Sequence, residues 1–218
     1  FTSGLIANQH VDSLQQKQLD TYYDNRSKSN FRNMLHYVRN TFDKRKLFKL
    51  EAKEPQIIPS NIFFHLEDGV FYQTADELTD YLHKKNIYKE GAPRIALVTG
   101  MTSPLEGNRG YIDSMIVRLS DAGFNVYPLF SAAKRQELME SVHPDAVIYL
   151  PMGRLGVDKT VKWLTENNIP LFCPLSIMQN REEWLDNDSN KGVTGGYLAA
   201  RIVLPEIDGA IYPLVIST

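Results

Sequence analysis

Cysteine is almost absent from this sequence, with Cys173 alone among 218 residues. A single thiol permits no internal disulfide and no thiolate zinc cage. Long hydrophobic runs are missing as well. The most apolar stretch, Ile169 to Met178, covers about ten residues interrupted by prolines, against the roughly 20 that cross a bilayer, so no membrane span is expected. Charge of one sign is not in surplus, because 24 Lys and Arg stand against 26 Asp and Glu. Without a basic excess or stripe to neutralise phosphates, nucleic acid is not an expected partner. Histidines do not pair: His10, His36, His65, His83 and His143 never recur at i+3 or i+4, and the H-E-x-x-H zinc motif does not occur. There is no initiating methionine. The opening at Phe1 and the strand-like Ala210 to Ile216 close to the end read as a piece of a longer chain or a processed product.

What is present is the composition of a globular chain. Hydrophobic residues make up 43% and charged residues 23%, which excludes disorder and collagen-like repeats, and the length suits one domain with an appendage. Apolar residues at Phe31, Met34, Leu35, Val38 and Phe42 form one stripe of an amphipathic helix with Ser29 or Asn30 as its N-cap. A weaker stripe through Val11, Leu14 and Gln18 predicts a helix from Leu5 to about Tyr23. Pro55 and Pro59, with the run Ile57, Ile58, Ile62, Phe63, Phe64, predict extended segments from Glu51 to Glu67. Thr74 followed by Glu77 is a capping box that opens a helix faced by Leu78, Tyr81 and Leu82. Lys89 to Pro93 reads as a linker, so residues 1–90 are expected to form a helical and extended lead-in.

Beyond that point the pattern alternates. Arg94 to Val98, Asn125 to Phe130, Asp145 to Leu150, Pro170 to Cys173 and Ala210 to Ile216 are short apolar runs, as in strands covered on both faces. Helical spacing lies between them, in Ile112, Met115, Ile116, Leu119 up to Gly123, in Val157, Val161, Leu164 up to Asn168, and in Leu198, Ile202, Val203. This predicts an α/β domain over residues 91–218: a doubly wound parallel sheet of about five strands, flavodoxin-like or Rossmann-like.

Ligands of such sheets bind beyond the carboxyl ends of the strands. The loop Thr99 to Gly110 lacks the G-x-G-x-x-G spacing, but Ser103 and Asn108 are candidates to hold an anion at a helix start. Gly153 to Thr160 matches a P-loop except that Asp158 stands where the second glycine belongs, and a carboxylate there would face the phosphates. Arg109, Arg154 and Gln179 are the loop-end groups suited to carboxylates or amides of a substrate. His65 with Glu67 or Asp68 is a candidate metal pair, although neighbours in a loop point in different directions. Cys173, in an apolar strand, is expected to be inert. No catalytic set is visible.

Three stretches resemble the large subunits of cobaltochelatase and magnesium chelatase. They are Phe71 to Pro93 leading into GAPRIALV, the loop and helix from Ser103 to Phe130, and Ile169 to Gly209, where Leu204-Pro205-Glu206-Ile207-Asp208-Gly209 is the most specific run. The resemblance implies a subunit that contributes to tetrapyrrole and metal binding or to subunit docking. It implies a divalent metal (cobalt, magnesium or iron), the remainder of the large subunit as a partner, and ATP held by separate ATPase subunits. Apart from the resemblance, one cysteine and no targeting segment suit the cytoplasm, while a trimmed N-terminus leaves room for a membrane-anchored or periplasmic parent. Met101-Thr102-Ser103 stands where the family has Arg-Ser-His, a departure consistent with a divergent branch that handles haem or another tetrapyrrole and removes a metal instead of inserting one; the alternative is a non-catalytic structural or docking module. Asp208 and Gly209 also suit a plain turn.

Overall fold

The computed structural model describes residues 11–43, 48–100, 105, 107, 109–131, 133–156, 158–177, 181–186, 195–211 and 215–217. The chain divides into two compact units, one comprising residues up to Pro59 together with 105–107, the other the rest.

In the first unit, α1 (Ser13–Asp24) starts at a capping box of Asp12 and Gln15. Helix α2 (Lys28–Phe42) is capped by Ser27, two residues before the nearer of the expected caps. The shift has a physical reason: Asn30 is buried and its side chain is spent on a neighbouring segment. Residues 48–58, without helix or strand, lie along α2 and are held by side-chain amides. Asn40 exchanges hydrogen bonds of 2.6 and 3.0 Å with the backbone of Leu50, and Asn30 exchanges bonds of 2.7 and 2.9 Å with that of Gln56. Asn33 accepts from Lys53 N and Asn25 from Ile58 N. The extended path expected here thus satisfies its backbone through an asparagine ladder, which a chain without strand partners requires.

The second unit is built on a six-stranded sheet. Its strands are β1 (Asn61–Phe64), β2 (Phe71–Tyr72), β3 (Arg94–Val98), β4 (Asn125–Ser131), β5 (Ala146–Tyr149) and β6 (Leu171–Phe172), in the order β2-β1-β4-β3-β5-β6. Strands β4, β3, β5 and β6 are parallel, and β1 joins β4 antiparallel through Ile62 and Phe130. The parallel strands follow the flavodoxin-like winding. Alternation along each strand sets the two faces. Ala96, Val98, Tyr127, Leu129, Val147 and Tyr149 face α3 (Ala75–Lys84), α5 (Arg135–Val142) and α6 (Asp158–Glu166), whereas Leu97, Val126 and Ile148 face α4 (Gly110–Asp121). The expected mixed α/β architecture with helices on both faces is therefore present, but the sheet is mixed and not wholly parallel.

Two departures follow. Residues 60–90, expected in the lead-in, belong to the sheet unit: Phe63, Ala75, Leu78 and Leu82 lie in its core. Lys89 to Pro93 is no free linker, because Asn125 bonds both the N–H and the carbonyl of Lys89. The last expected strand does not extend the main sheet as a full member. Ile211 makes one bridge to Phe172, and β8 (Val215–Ser217) pairs in parallel with β7 (Leu175–Ile177) as a separate two-stranded sheet. Gly123 and Asn168 end their helices as expected, with positive φ of 104° and 52°, whereas α5, closed by His143 in the left-handed region, is a helix that the sequence pattern did not announce. Helices α7 (Arg181–Asp186), α8 (Gly195–Leu198) and α9 (Leu204–Ile207) complete the unit, α8 running into α9 through a π-helical turn, Ala199–Val203. Among the described residues no helix is long and apolar enough to cross a membrane.

Candidate functional site

The winding reverses between β3 and β5. Helix α4 leaves β3 on one face and α5 returns to β5 on the other, so the carboxyl ends of these two strands mark the switch point where a winding of this kind places its ligand crevice. Gly100 lines it after β3, 3.9 Å from the Tyr111 hydroxyl when a Cβ is placed on the glycine. Leu150 to Gly153 line it after β5. The α8–α9 segment closes one wall: Gly153 N–H donates to Ala200 O at 2.8 Å and Arg201 Nη1 donates to Leu150 O at 3.0 Å. A π turn costs helical hydrogen-bond regularity, and such turns concentrate at sites of function. Here it frees the Ala200 carbonyl for the loop.

The expected site residues fare differently. Arg154 is spent on structure: its Nε donates to Asp208 at 2.7 Å and its Nη2 to Asp158 at 3.2 Å. The Asp208 side chain is fully buried and also accepts from Leu155 N at 3.1 Å. These carboxylates hold the Arg154 guanidinium above its already high pKa. The Leu-Pro-Glu-Ile-Asp-Gly run thus works as a clasp on the loop after β5. The same contacts empty the P-loop resemblance of content. Leu155 N–H is already bonded, Thr160 Oγ1 donates to Gln136 at 2.9 Å, and a Cβ at Gly156 would come within 2.5 Å of Thr160 Oγ1. The protein's own groups fill the cradle a phosphate would need.

Arg109 is buried at the start of α4. It pairs with Asp113 at 2.6 Å, donates to the His65 carbonyl and lies 5.1 Å from the Phe64 ring, which leaves its Nη1 without a partner. His65 is buried too, and neither ring nitrogen is bonded. Its ring sits 5.5 Å from that of Tyr81. Burial, and then the charge of Arg109, push its pKa down to about 4. Glu67 meanwhile pairs with Lys85 at 2.5 Å, and among the described residues no group of three or more His, Cys, Asp or Glu could hold a metal. Ser103, Asn108 and Gln179 lie outside the described residues. Cys173 matches its expectation: burial raises its pKa to about 12.

The residue that sequence reasoning passed over is Arg201. Its guanidinium lies 5.9 Å from the Tyr197 ring, and Arg201 Nε and the Tyr197 hydroxyl are both buried without partners. Among the described residues no carboxylate pairs with it. The charge of Arg201 opposes the burial-driven rise in pKa of both Tyr111 and Cys173, which sets all three within electrostatic reach. The i, i+4 spacing of Tyr197 and Arg201 was the available signal. It is a common spacing, and only the π turn beside the crevice gives it meaning.

Comparison with known proteins adds the following. Residues 20–218 match the CobN/Magnesium Chelatase family model. The chloroplastic magnesium-chelatase subunit ChlH of Oryza sativa subsp. japonica is 26% identical over 165 residues, covering 67% of this chain and 11% of the relative. The aerobic cobaltochelatase subunit CobN of Pseudomonas aeruginosa is 25% identical over 174 residues, 76% of this chain and 13% of the relative. The chain therefore spans only about an eighth or less of these relatives. Among solved structures, the catalytic subunit of cobaltochelatase from Mycobacterium tuberculosis superposes with a TM-score of 0.66 at 22% identity, over 93% of this chain and 16% of that one, a likeness of fold.

Proposed function

This chain belongs to the CobN/magnesium chelatase family, and we propose that it is the part of a chelatase large subunit that contributes one wall of the tetrapyrrole site, with the metal ion as substrate and ATP hydrolysis on separate subunits. The switch point between β3 and β5 supports this reading, because it is the ligand position of a flavodoxin-like winding and holds in Arg201 a cation with no carboxylate partner among the described residues. A partner ATPase accords with the loop after β5, whose cradle is filled. Absorbance titration of the full chain with porphyrins, metalloporphyrins and corrins tests the proposal. A saturable Soret-band shift with at least one macrocycle is expected, and no change with any of them would overturn it.

A second reading concerns direction. Met101-Thr102-Ser103 offers neither the arginine nor the imidazole of the family's Arg-Ser-His, and we propose as the alternative a divergent branch that handles haem or another tetrapyrrole and in which two protons replace the metal. Appearance of metal-free porphyrin fluorescence on incubation with haem would support it, and persistent haem absorbance would refute it.

A further inference from the structure

We propose that Arg201 and Tyr197 form a carboxylate-binding corner of the β3–β5 crevice, the place where an acidic side arm of the macrocycle is held. The identification of the side arm rests on the tetrapyrrole reading above, whereas the carboxylate site itself does not.

A buried guanidinium nitrogen and a buried phenolic hydroxyl without partners each forfeit a hydrogen bond that water would supply. Both lie one helical turn apart on the same segment. Arg201 Nε is a donor only and the Tyr197 hydroxyl can donate or accept, so an acceptor satisfies both together, and the charge of Arg201, unpaired with any carboxylate among the described residues, favours an anionic one. Arg109 is paired with Asp113 and Arg154 with Asp208 and Asp158, whereas Arg135, whose Nε is also buried without a partner, bonds the Leu155 carbonyl and the Tyr149 hydroxyl through Nη1. Arg201 is likewise anchored by a neutral carbonyl, that of Leu150. This bond fixes Nη1 and leaves Nε buried without a hydrogen bond, so one edge of the guanidinium is held and the other is unsatisfied. A planar carboxylate fits that edge bidentately. The Gly153 bond to Ala200 O holds the segment in place without drawing on either donor.

Protoporphyrin IX and its dimethyl ester separate a carboxylate contact from contacts with the ring. The full chain is expected to bind the acid at least about tenfold more tightly than the ester, the worth of a charge-assisted pair. Arg201→Gln should weaken binding of the acid by about 10- to 100-fold and leave the ester unchanged. Arg201→Lys keeps the charge and the donor to Leu150 O, so it guards against a folding defect and should lose part of the preference. Tyr197→Phe should cost the acid about three- to tenfold. A preference that survives in Arg201→Gln, or none in the parent chain, would overturn the proposal. A second arm needs no macrocycle: the Arg201 Nε–H resonance, assigned by its loss in Arg201→Lys, should shift on titration with benzoate and not with chloride. A benzoate response with no tetrapyrrole binding would refute the chelatase reading and uphold the carboxylate corner, and no response to benzoate would refute the corner.

Discussion

His65 carries the clearest pH signature in the molecule. Arg109 supplies a positive charge beside the ring, while Asp113 and Glu67 oppose it more weakly, and the net effect with burial is a pKa near 4 against an ordinary 6.5. The unfolded ring therefore binds a proton first on acidification. Stability from the neutral ring is complete above about pH 6.5, falls as the pH drops towards 4, and is flat below; the window spans about 3 kcal/mol. His65→Leu removes both unbonded nitrogens and the proton uptake. Urea unfolding at pH 7 and at pH 4.5 should show the variant losing about 2 kcal/mol less on acidification than the parent, and equal losses would refute the account. At this scale the sequence was legible in part. Arg109 and Arg154 stood out as cations at loop ends, but their i+4 pairing with Asp113 and Asp158 was not read from the sequence. Nor was the pairing with Asp208, 54 residues from Arg154, because sequence proximity does not reveal which distant carboxylate will meet an arginine.

Whole elements were easier to read where burial on two faces left a continuous apolar run, as in β3, β4 and β5. They were harder where hydrogen bonding does the work. Helix α2 looked like an amphipathic helix beginning near Ser29, yet its inward face carries Asn30 and Asn33, which hydropathy counts as solvent-facing. Their amides replace a missing strand partner for residues 48–58, so an apolar stripe reports only half of what the helix holds. The π turn from Ala199 to Val203 was equally hidden, since no residue pattern distinguishes it from ordinary helix. The ladder is open to a direct test. Asn30→Ala strips the backbone of Gln56 of both its side-chain partners at a buried position, and two lost bonds there are expected to cost about 2 to 3 kcal/mol. Hydrogen exchange should show the Gln56 amide released by a factor of about 30 or more, with β3 and β4 unaffected. Unchanged protection at Gln56 would mean that the ladder is decorative.

For the molecule as a whole, the expected boundary at residue 90 and the observed one at 59 make opposite forecasts. Composition alone places the boundary at 90, because prolines and short extended runs precede Lys89 and strand and helix alternation begins at Arg94. Composition cannot show that β1 pairs with β4 across more than 60 residues of sequence, or that α3 is a structural neighbour of α5. A chain starting at Ser60 keeps the six-stranded sheet and both core clusters. One starting at Gly91 loses β1, β2 and α3, exposing the β4 edge and removing Phe63, Leu78 and Leu82, all buried, from the core. Each of these side chains contributes about 2 to 3 kcal/mol, so their joint loss approaches the 5 to 15 kcal/mol that holds a typical domain together, and an uncovered strand edge invites association. Residues 60–218 are therefore expected to unfold cooperatively as a monomer, by circular dichroism and sedimentation. Residues 91–218 are expected to aggregate or to lack a cooperative transition. A well-folded monomeric 91–218 would show that β1, β2 and α3 are accessory, and the sheet's four parallel strands would then have to be stable with one side of β4 bare.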